Sequence, residues 1–176
     1  MSVADLHDRE QAAWRVLDDV LDPEVPVLSV RDLGIVRAVE SLEEGMRVVL
    51  TPTYSGCPAT EVICDSVRQA LEGAGFGPVT VSLQRAPAWT TEWMSDEGRR
   101  KLREYGIAPP GAVQPPGPTP MTFFPRRPLA AAPEVLNCPR CGSAHTERLS
   151  AFGSTACKSM HRCLTCREPF EHFKPL

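Results

Sequence analysis

Apolar residues recur at two different periods along roughly the first 85 residues, and each change of period marks a change of secondary structure. Spacings of three and four residues predict two amphipathic helices. The apolar stripe of the first comprises Ala13, Val16, Leu17, Val20 and Leu21, and that of the second comprises Ile63, Val67, Ala70, Leu71 and Ala74. Strand-like runs occupy residues 35–40, 46–51 and 79–83. The order helix, strand, strand, helix, strand predicts an α/β (α+β) fold, in which a hairpin and a crossover build a small mixed sheet with helices on one face.

Short polar signals separate these elements. Asp22 precedes a proline, and a residue in that position avoids the helical region, so the first helix should end there. Ser29 and Asp32 stand at capping-box spacing, which predicts a short helical turn. A third, strongly charged helix is predicted between a capping Ser95 and a terminating Gly106.

Composition divides the chain into four segments. Residues 1–86 form the α/β domain, and residues 87–108 form a charged helical extension. Residues 109–134 contain nine of the 18 prolines, which is typical of a semi-rigid linker. Residues 135–176 contain five of the seven cysteines and are predicted to form a small separate module.

The charge distribution disfavours several classes of function. Residues 1–94 carry 7 basic and 15 acidic side chains, whereas residues 95–176 carry 12 and 7. An acidic first half argues against nucleic-acid binding by that half, whereas the mildly basic second half leaves such binding open. No apolar run reaches the ~18 residues of a membrane span, and the acidic first residues do not resemble a signal peptide. We therefore expect a cytoplasmic protein without a membrane segment.

Four cysteines form two C-x-x-C pairs that predict a metal site. Cys138 and Cys141 are separated from Cys163 and Cys166 by 21 residues. Each pair can direct two thiolates at one ion, and two pairs complete the tetrahedron of a zinc ribbon. About 40 residues bury too little apolar surface to fold alone, whereas a structural zinc ion contributes on the order of 10–16 kcal/mol. Zinc is the expected metal, iron suits the same ligands, and two disulfides are the alternative.

The same module contains one further cysteine and three histidines. Cys157 could replace one of the four ligands or pack as a small apolar residue, and the sequence leaves both open. Because four cysteines already stand at suitable spacing, the histidines are expected at the surface or around the ligands rather than among them. These histidines are His145, His161 and His172.

A second candidate site lies in residues 54–58, between a strand and a helix. Pro58 suits the first helical position, which would place Cys57 at the N-cap. The positive end of the helix would then lower the pKa of the Cys57 thiol. The resulting thiolate would be a metal ligand or a nucleophile, and the alternative is a half-buried cysteine that fills a turn. Cys64 falls on the apolar face of the second helix and is expected in the core.

Three motifs of the α/β domain resemble the MIP-type family of small metal–sulfur cluster assembly domains. They are DPEVPVLS at residues 22–29, DLGIV at residues 32–36 and GCP at residues 56–58. Residues 87–110 and the cysteine-rich tail resemble a narrower family, the D subunits of the bacterial phenylacetyl-CoA epoxidase system of phenylacetate degradation. The resemblance covers nearly the whole chain.

The resemblance implies an accessory role without catalysis. In such systems a di-iron oxygenase and a flavin/iron–sulfur reductase perform the chemistry, and the D subunit assists the assembly, maturation or repair of their iron centres. Both components are therefore the implied partners. Cys57, Asp22 and Glu24 match the motif residues of the family and are implied to handle iron or a transient iron–sulfur cluster. A cluster needs four ligands, and no second cysteine stands near Cys57 at an obvious cluster-binding spacing. A dimer partner, small thiols or oxygen ligands would therefore have to complete the set.

Other functions stay open from the sequence alone. The chain could be a structural or regulatory subunit of the oxygenase complex, with the zinc module as its docking surface. Cys57 could be an enzymatic nucleophile, although His7 is the only histidine of the first domain to activate it. Asp22 and Glu24 could simply end the first helix in solvent, since nothing in the sequence marks a cleft around them. The client protein and the oligomeric state, including a homodimer, are not determined.

Overall fold

The computed structural model describes residues 3–54, 56–111 and 136–175, so most of the proline-rich segment predicted at residues 109–134 lies outside the described residues. The helices are α1 (Val3–Leu17), α2 (Thr60–Gly73) and α3 (Asp96–Tyr105), with a short 3-10 helix at Thr91–Trp93. The strands are β1 (Val36–Ser41), β2 (Met46–Leu50), β3 (Val79–Leu83), β4 (Ile107–Ala108), β5 (Thr146–Ser150), β6 (Lys158–Cys163) and β7 (Pro169–Phe173). None of the described helices is both long and apolar enough to cross a membrane.

The first sheet has the strand order β1–β2–β3. β1 and β2 form an antiparallel hairpin, and β2 pairs in parallel with β3, with Met46 opposite Val79 and Leu50 opposite Leu83. α1 contacts β1, α2 contacts β3, and the two helices contact each other, so both lie on the same face of the sheet. The predicted mixed sheet with helices on one face is confirmed.

α1 ends earlier than the apolar spacing predicted. It stops at Leu17, and the next three amides bond to carbonyls three residues back, which closes the helix with a tighter turn. Val20 is buried in this turn, but Leu21 is 48% exposed and pairs with Ser29 in an isolated β-bridge. The apolar stripe therefore continues beyond the helix, because local backbone pairing replaces the helical hydrogen bonds.

The capping box predicted at Ser29 and Asp32 forms, but its residues adopt a turn rather than a helix. Hydrogen bonds of the same box connect this turn to α3. Ser29 and Asp32 exchange backbone-to-side-chain hydrogen bonds of 3.0 and 3.1 Å. The Asp32 carboxylate also accepts from Ser95 Oγ at 3.0 Å and from Lys101 Nζ at 2.6 Å. Burial alone would raise the pKa of Asp32, but these partners hold it below its ordinary value. Ser95 also accepts from the Gly98 amide, which confirms it as the cap of α3.

The second sheet has the order β4–β7–β6–β5 and belongs mainly to the cysteine-rich module. Its outer strand β4 directly follows α3 and pairs in parallel with β7, with Ile107 opposite Glu171. β7, β6 and β5 are antiparallel neighbours. The segment after α3 therefore completes the sheet of the module.

One hydrophobic core joins the two sheets. Phe173 and Cys157 from the module are buried in the same cluster as residues of α1, α2 and the first sheet. The Trp89 ring packs against Phe173 with centroids 6.1 Å apart, and its Nε1 donates to the Leu33 carbonyl at 2.9 Å. Phe173 and Trp89 thus anchor the module on the α/β domain.

Gly34 and Gly75 provide a matched test of the packing behind the first sheet. Both have positive φ, +67° and +87°, which costs an L-residue about 1–2 kcal/mol. A Cβ at Gly34 would lie 2.1 Å from the Trp93 carbonyl oxygen, whereas a Cβ at Gly75 would meet no heavy atom within 4 Å. We expect Gly34→Ala to lower the free energy of unfolding by more than ~3 kcal/mol and Gly75→Ala by about 1–2 kcal/mol, measured by thermal denaturation with zinc in the buffer. Equal losses would contradict the close contact at Gly34.

Candidate functional site

The four cysteines of the two C-x-x-C pairs meet at one end of the module. Cys138 and Cys141 lie in the turn before β5, Cys163 ends β6, and Cys166 lies in the turn before β7. All four Sγ atoms lie within 4.8 Å of one another, with Cys138–Cys166 at 3.8 Å and Cys141–Cys163 at 3.6 Å. In the described part of the chain, this is the one group of three or more Cys, His, Asp or Glu side chains with ligand atoms so close. The structure therefore brings together the four thiols that the sequence spacing selected.

This cluster fits a tetrahedral metal ion and leaves no open position. The Cys166 amide donates to Cys163 Sγ at 3.5 Å, and it is the largest of several contacts that lower the pKa of Cys163 to about 6. Burial and the neighbouring thiols raise the pKa of Cys166 to about 12, so the four sulfurs share their protons unequally until a metal displaces them. Four soft sulfur donors suit zinc or iron. Because the protein supplies all four positions, a bound ion would stabilise the module rather than act on a substrate.

The histidines of the module lie outside this group of sulfurs. His161 and His172 contact each other edge to face at 5.6 Å, and both are near Ser159 Oγ, at 2.9 and 3.5 Å. Burial lowers the pKa of both, that of His172 to about 4, so they are neutral near pH 7. His145 is exposed. The prediction of a surface position is confirmed for His145, whereas His161 and His172 are buried, and none of the three belongs to the group of sulfurs.

A second site lies between the α/β domain and the module. It is a cavity of about 30 Å³, and four of its lining residues carry groups that bind metals: Asp22, Glu24, Cys57 and Cys157. Its apolar walls include Ile35, Leu50, Ile63, Leu83 and Phe173. Cys157 and Phe173 come from the module, whereas the other lining residues come from the α/β domain. The cavity is therefore formed only where the two parts of the chain meet.

Cys57 lines this cavity but does not occupy the predicted helix cap. α2 begins at Thr60 with Ala59 as its N-cap, so Cys57 precedes the helix. Thr60 donates to the Cys57 carbonyl through its amide at 3.3 Å and through Oγ1 at 2.9 Å. The prediction was wrong because this separate turn comes before the first helical hydrogen bond, which the Ile63 amide makes with Ala59.

The pKa of Cys57 is raised, so the predicted lowering by the helix was also wrong. Burial is the main cause. The Ala59 amide and the Thr60 hydroxyl favour the thiolate, but the negative charges of Glu24 and Asp22 oppose it. The helix dipole acts over about one turn, and burial outweighs it here. Cys57 is therefore a thiol rather than a thiolate at neutral pH.

Asp22 and Glu24 do not end the first helix in solvent, which was the alternative from the sequence. Asp22 is 8% exposed, and its Oδ1 accepts from the amides of Glu24 at 2.8 Å and Val25 at 2.7 Å. Glu24 is half-buried. Burial raises the pKa of both carboxyl groups, and the charge of Asp22 adds to the effect on Glu24. The sequence showed no cleft around them because the walls of the cavity come from distant parts of the chain.

Cys157 is not one of the four clustered sulfurs. It is 5% exposed, belongs to the main core and lines the cavity that Cys57 lines. Its Sγ lies 3.0 Å from Thr155 Oγ1, and its carbonyl accepts from the Lys174 amide at 2.9 Å. Sequence reasoning missed this placement because Cys57 and Cys157 are 100 positions apart. One feature of the sequence could have indicated it: Cys157 is a fifth cysteine of the module that belongs to neither C-x-x-C pair.

Two family models match the chain. The model of an iron-sulfur cluster assembly protein matches residues 10–83, and the model of the PaaD zinc beta ribbon domain matches residues 125–174. The first range contains Cys57, and the second contains Cys157 and the four clustered cysteines. Together with the group of four thiols, the second match identifies structural zinc as the cofactor of the module.

Named relatives and a solved structure cover the same regions. A protein of Escherichia coli (strain K12), named as the D subunit of 1,2-phenylacetyl-CoA epoxidase, is 50% identical over 161 residues, 92% of this chain and 90% of the relative. An Fe-S protein maturation auxiliary factor of Porphyromonas gingivalis is 36% identical over 95 residues, 53% of this chain and 90% of that protein. The crystal structure of a domain of unknown function, DUF59, from Bacillus anthracis matches with a TM-score of 0.54 and 25% identity, over 57% of this chain and 97% of that chain. The structural match supports the α/β fold of the first domain.

Removal of zinc should expose Cys57 as well as unfold the module. Among the described residues, the buried cluster around the paired cysteines contains four residues, so we expect the ion to provide much of the stability at this end of the module. After a strong chelator removes zinc from the full chain, Phe173 and Cys157 should no longer cover the cavity. We expect Cys57 to be alkylated at least ~10-fold faster, measured by mass spectrometry. The internal control is Cys64 on α2, which was predicted in the core but is half-buried and packs against the core. An unchanged alkylation rate of Cys57 would contradict the conclusion that residues of the module form part of the cavity wall.

The raised pKa of Cys57 predicts a shifted pH profile of alkylation. The thiolate is the reactive form, so the rate should reach half its maximum at a pH above the ordinary thiol pKa. Glu24→Gln removes a negative charge that disfavours the thiolate, and we expect it to lower the midpoint and speed alkylation near neutral pH by roughly threefold. Glu43→Gln, on an exposed turn, should change nothing. The pH dependence of iodoacetamide labelling measures both, and a midpoint at or below the ordinary value would refute the raised pKa.

Proposed function

Because the chain belongs to the family of the D subunits of 1,2-phenylacetyl-CoA epoxidase, we propose that it is a non-catalytic accessory protein of that oxygenase system, which assists the assembly or maturation of iron centres. The observation that carries this proposal is the cavity at Cys57, where a thiol meets the carboxyl groups of Asp22 and Glu24. Thiolate sulfur and carboxylate oxygen are both ligands of iron. The relative named as an Fe-S protein maturation auxiliary factor supports the same role.

The chemistry of the Cys57 cavity suits iron, or an iron–sulfur cluster, as a cargo that is bound and passed on. Burial and the neighbouring carboxylates keep Cys57 protonated, so an incoming cation must displace a proton, and a returning proton can release the cation. The four-cysteine group is different, because its closed set of sulfurs leaves no position for exchange with a client. Iron is then the cargo, and zinc is the resident ion.

The zinc-ribbon module has a structural part in this proposal. Its zinc ligands are Cys138, Cys141, Cys163 and Cys166. Zinc holds the turns around β6 and β7 in place, and these strands carry Phe173 and present Cys157 to the cavity. The proposed division of the chain is an assembly domain at residues 1–86, a helical extension at residues 87–108, a linker at residues 109–134 and the zinc-ribbon module at residues 135–176.

The proposed partners are the oxygenase and reductase subunits of the epoxidase in the cytoplasm. The name of the Escherichia coli relative, as one subunit among several, supports a multisubunit assembly. The described part of the module also exposes large apolar side chains, with Leu149 at 52%, Phe152 at 64% and Leu164 at 38%. These side chains favour a second candidate function, in which the chain is a structural or regulatory subunit that docks through its zinc module.

Iron loading of the epoxidase in cells tests the first function. The epoxidase components are produced with the intact chain, with Cys57→Ala, with Cys64→Ala or without the chain. The iron content of the purified oxygenase and reductase is then measured with their activity. We expect Cys57→Ala to reduce both quantities to the level found without the chain, and Cys64→Ala to leave both unchanged.

The same experiment separates the two candidate functions. Full iron content and full activity with Cys57→Ala would contradict the assembly role. If the chain also co-purified with the oxygenase in equal amounts, that result would support the docking function instead.

A further inference from the structure

We infer that Cys157 is a second thiol ligand of the cargo site, so that one iron(II) ion is held between Cys57 of the α/β domain and Cys157 of the zinc module. This inference rests on the proposed function and extends it from one domain to both. The two thiols line the same cavity, although they lie 100 positions apart in the chain. The module then contributes a ligand as well as a wall.

The frame around Cys157 holds it at the cavity. Cys157 directly precedes β6, its Sγ is 3.0 Å from Thr155 Oγ1, and its carbonyl accepts from the Lys174 amide at 2.9 Å. The residue before Lys174 is Phe173, whose ring packs against Trp89. A thiol supported by neighbouring strands in this way is presented at a defined position, which is what a ligand requires.

Oxygen donors lie beside the two thiols. Oδ1 of Asp22 is occupied by two backbone amides, which fixes the carboxylate at the cavity wall. The Glu24 carboxylate makes no hydrogen bond or ion pair within the described part of the chain. Two sulfur atoms and carboxylate oxygens form a mixed donor set that suits iron(II) better than magnesium or calcium, which prefer oxygen alone.

The charges at the cavity favour a divalent cation. Binding of one iron(II) ion releases two protons, one from each thiol, and forms two Fe–S bonds without a change of oxidation state. The two thiolates balance the two charges of the ion, so the thiols and the ion together add no net charge to a half-buried site. Asp22 and Glu24 attract the cation, and Lys158, which is 2% exposed and pairs with Glu171 at 3.0 Å, offsets part of their charge.

The volume of the cavity and the wide spacing of its donor atoms indicate a single exchangeable ion. Its volume of about 30 Å³ exceeds the ~10–15 Å³ that one water molecule needs, so the cavity has room for a single ion. Among the described residues, only the four-cysteine group has three or more ligand atoms within 4.8 Å of one another. The less restrained donors, such as the Glu24 carboxylate, must therefore rotate toward an incoming ion, which is compatible with its later release.

Iron uptake by the full, zinc-loaded chain tests this inference. Iron(II) is added without oxygen, the protein is passed over a desalting column, and bound iron, bound zinc and the thiolate-to-iron absorption are measured. The variants are Cys57→Ser, Cys157→Ser and Cys157→Val, with Cys64→Ser as the matched half-buried control. Cys157→Val keeps the core filled without sulfur, and zinc content with circular dichroism reports that each variant is folded.

We expect at least tenfold weaker iron binding in Cys57→Ser and in both Cys157 variants, unchanged binding in Cys64→Ser, and full zinc in all of them. One outcome would overturn the inference and leave the proposed function in place. In that outcome Cys157→Val is folded and binds iron as tightly as the intact chain, whereas Cys57→Ser does not. Equal iron binding by every variant, including Cys57→Ser, would contradict the proposed cargo site as well.

Discussion

The packing of Phe173 against Trp89 is the contact on which the rest of the structure depends. Trp89 is held by its hydrogen bond to the Leu33 carbonyl, and Phe173 brings β7 onto the α/β domain. Because this contact joins the two sheets into one core, the zinc module cannot be regarded as an independent appendage. The cavity at Cys57 is a product of the same contact, since one of its walls belongs to the module.

The chain holds two sulfur sites of opposite character. The four clustered cysteines are close together, and their four sulfurs would fill every position around a tetrahedral ion. In the cavity, burial and two carboxyl groups raise the pKa of Cys57, and burial raises that of Cys157. A preassembled set of four sulfurs retains its metal, whereas donors that lie apart must first come together around a cation. The physical contrast explains why we assign stability to the first site and exchange to the second.

Features that depend on a few neighbouring residues were predictable. Amphipathic spacing located α2, capping side chains located α3, and turn signals separated the strands of the first sheet. The C-x-x-C spacing selected four sulfurs that do meet in space. The errors also arose from local features. The apolar stripe extends to Leu21, although α1 ends at Leu17. The proline after Cys57 does not begin α2, which starts at Thr60. In both places a turn with its own hydrogen bonds precedes or follows the helix.

The sequence by itself therefore determined the order of helices and strands in the first domain, its fold class and the group of four cysteines, because each follows from residue spacing or short motifs. The four strands of the second sheet were not predicted. Only the tertiary structure decided that Asp22 is buried, that Cys57 has a raised rather than a lowered pKa, and that Cys157 lies at the same cavity. These properties depend on burial and on charges that distant segments bring together. No spacing in the sequence records them, because the cavity arises where the core joins residues 100 or more positions apart.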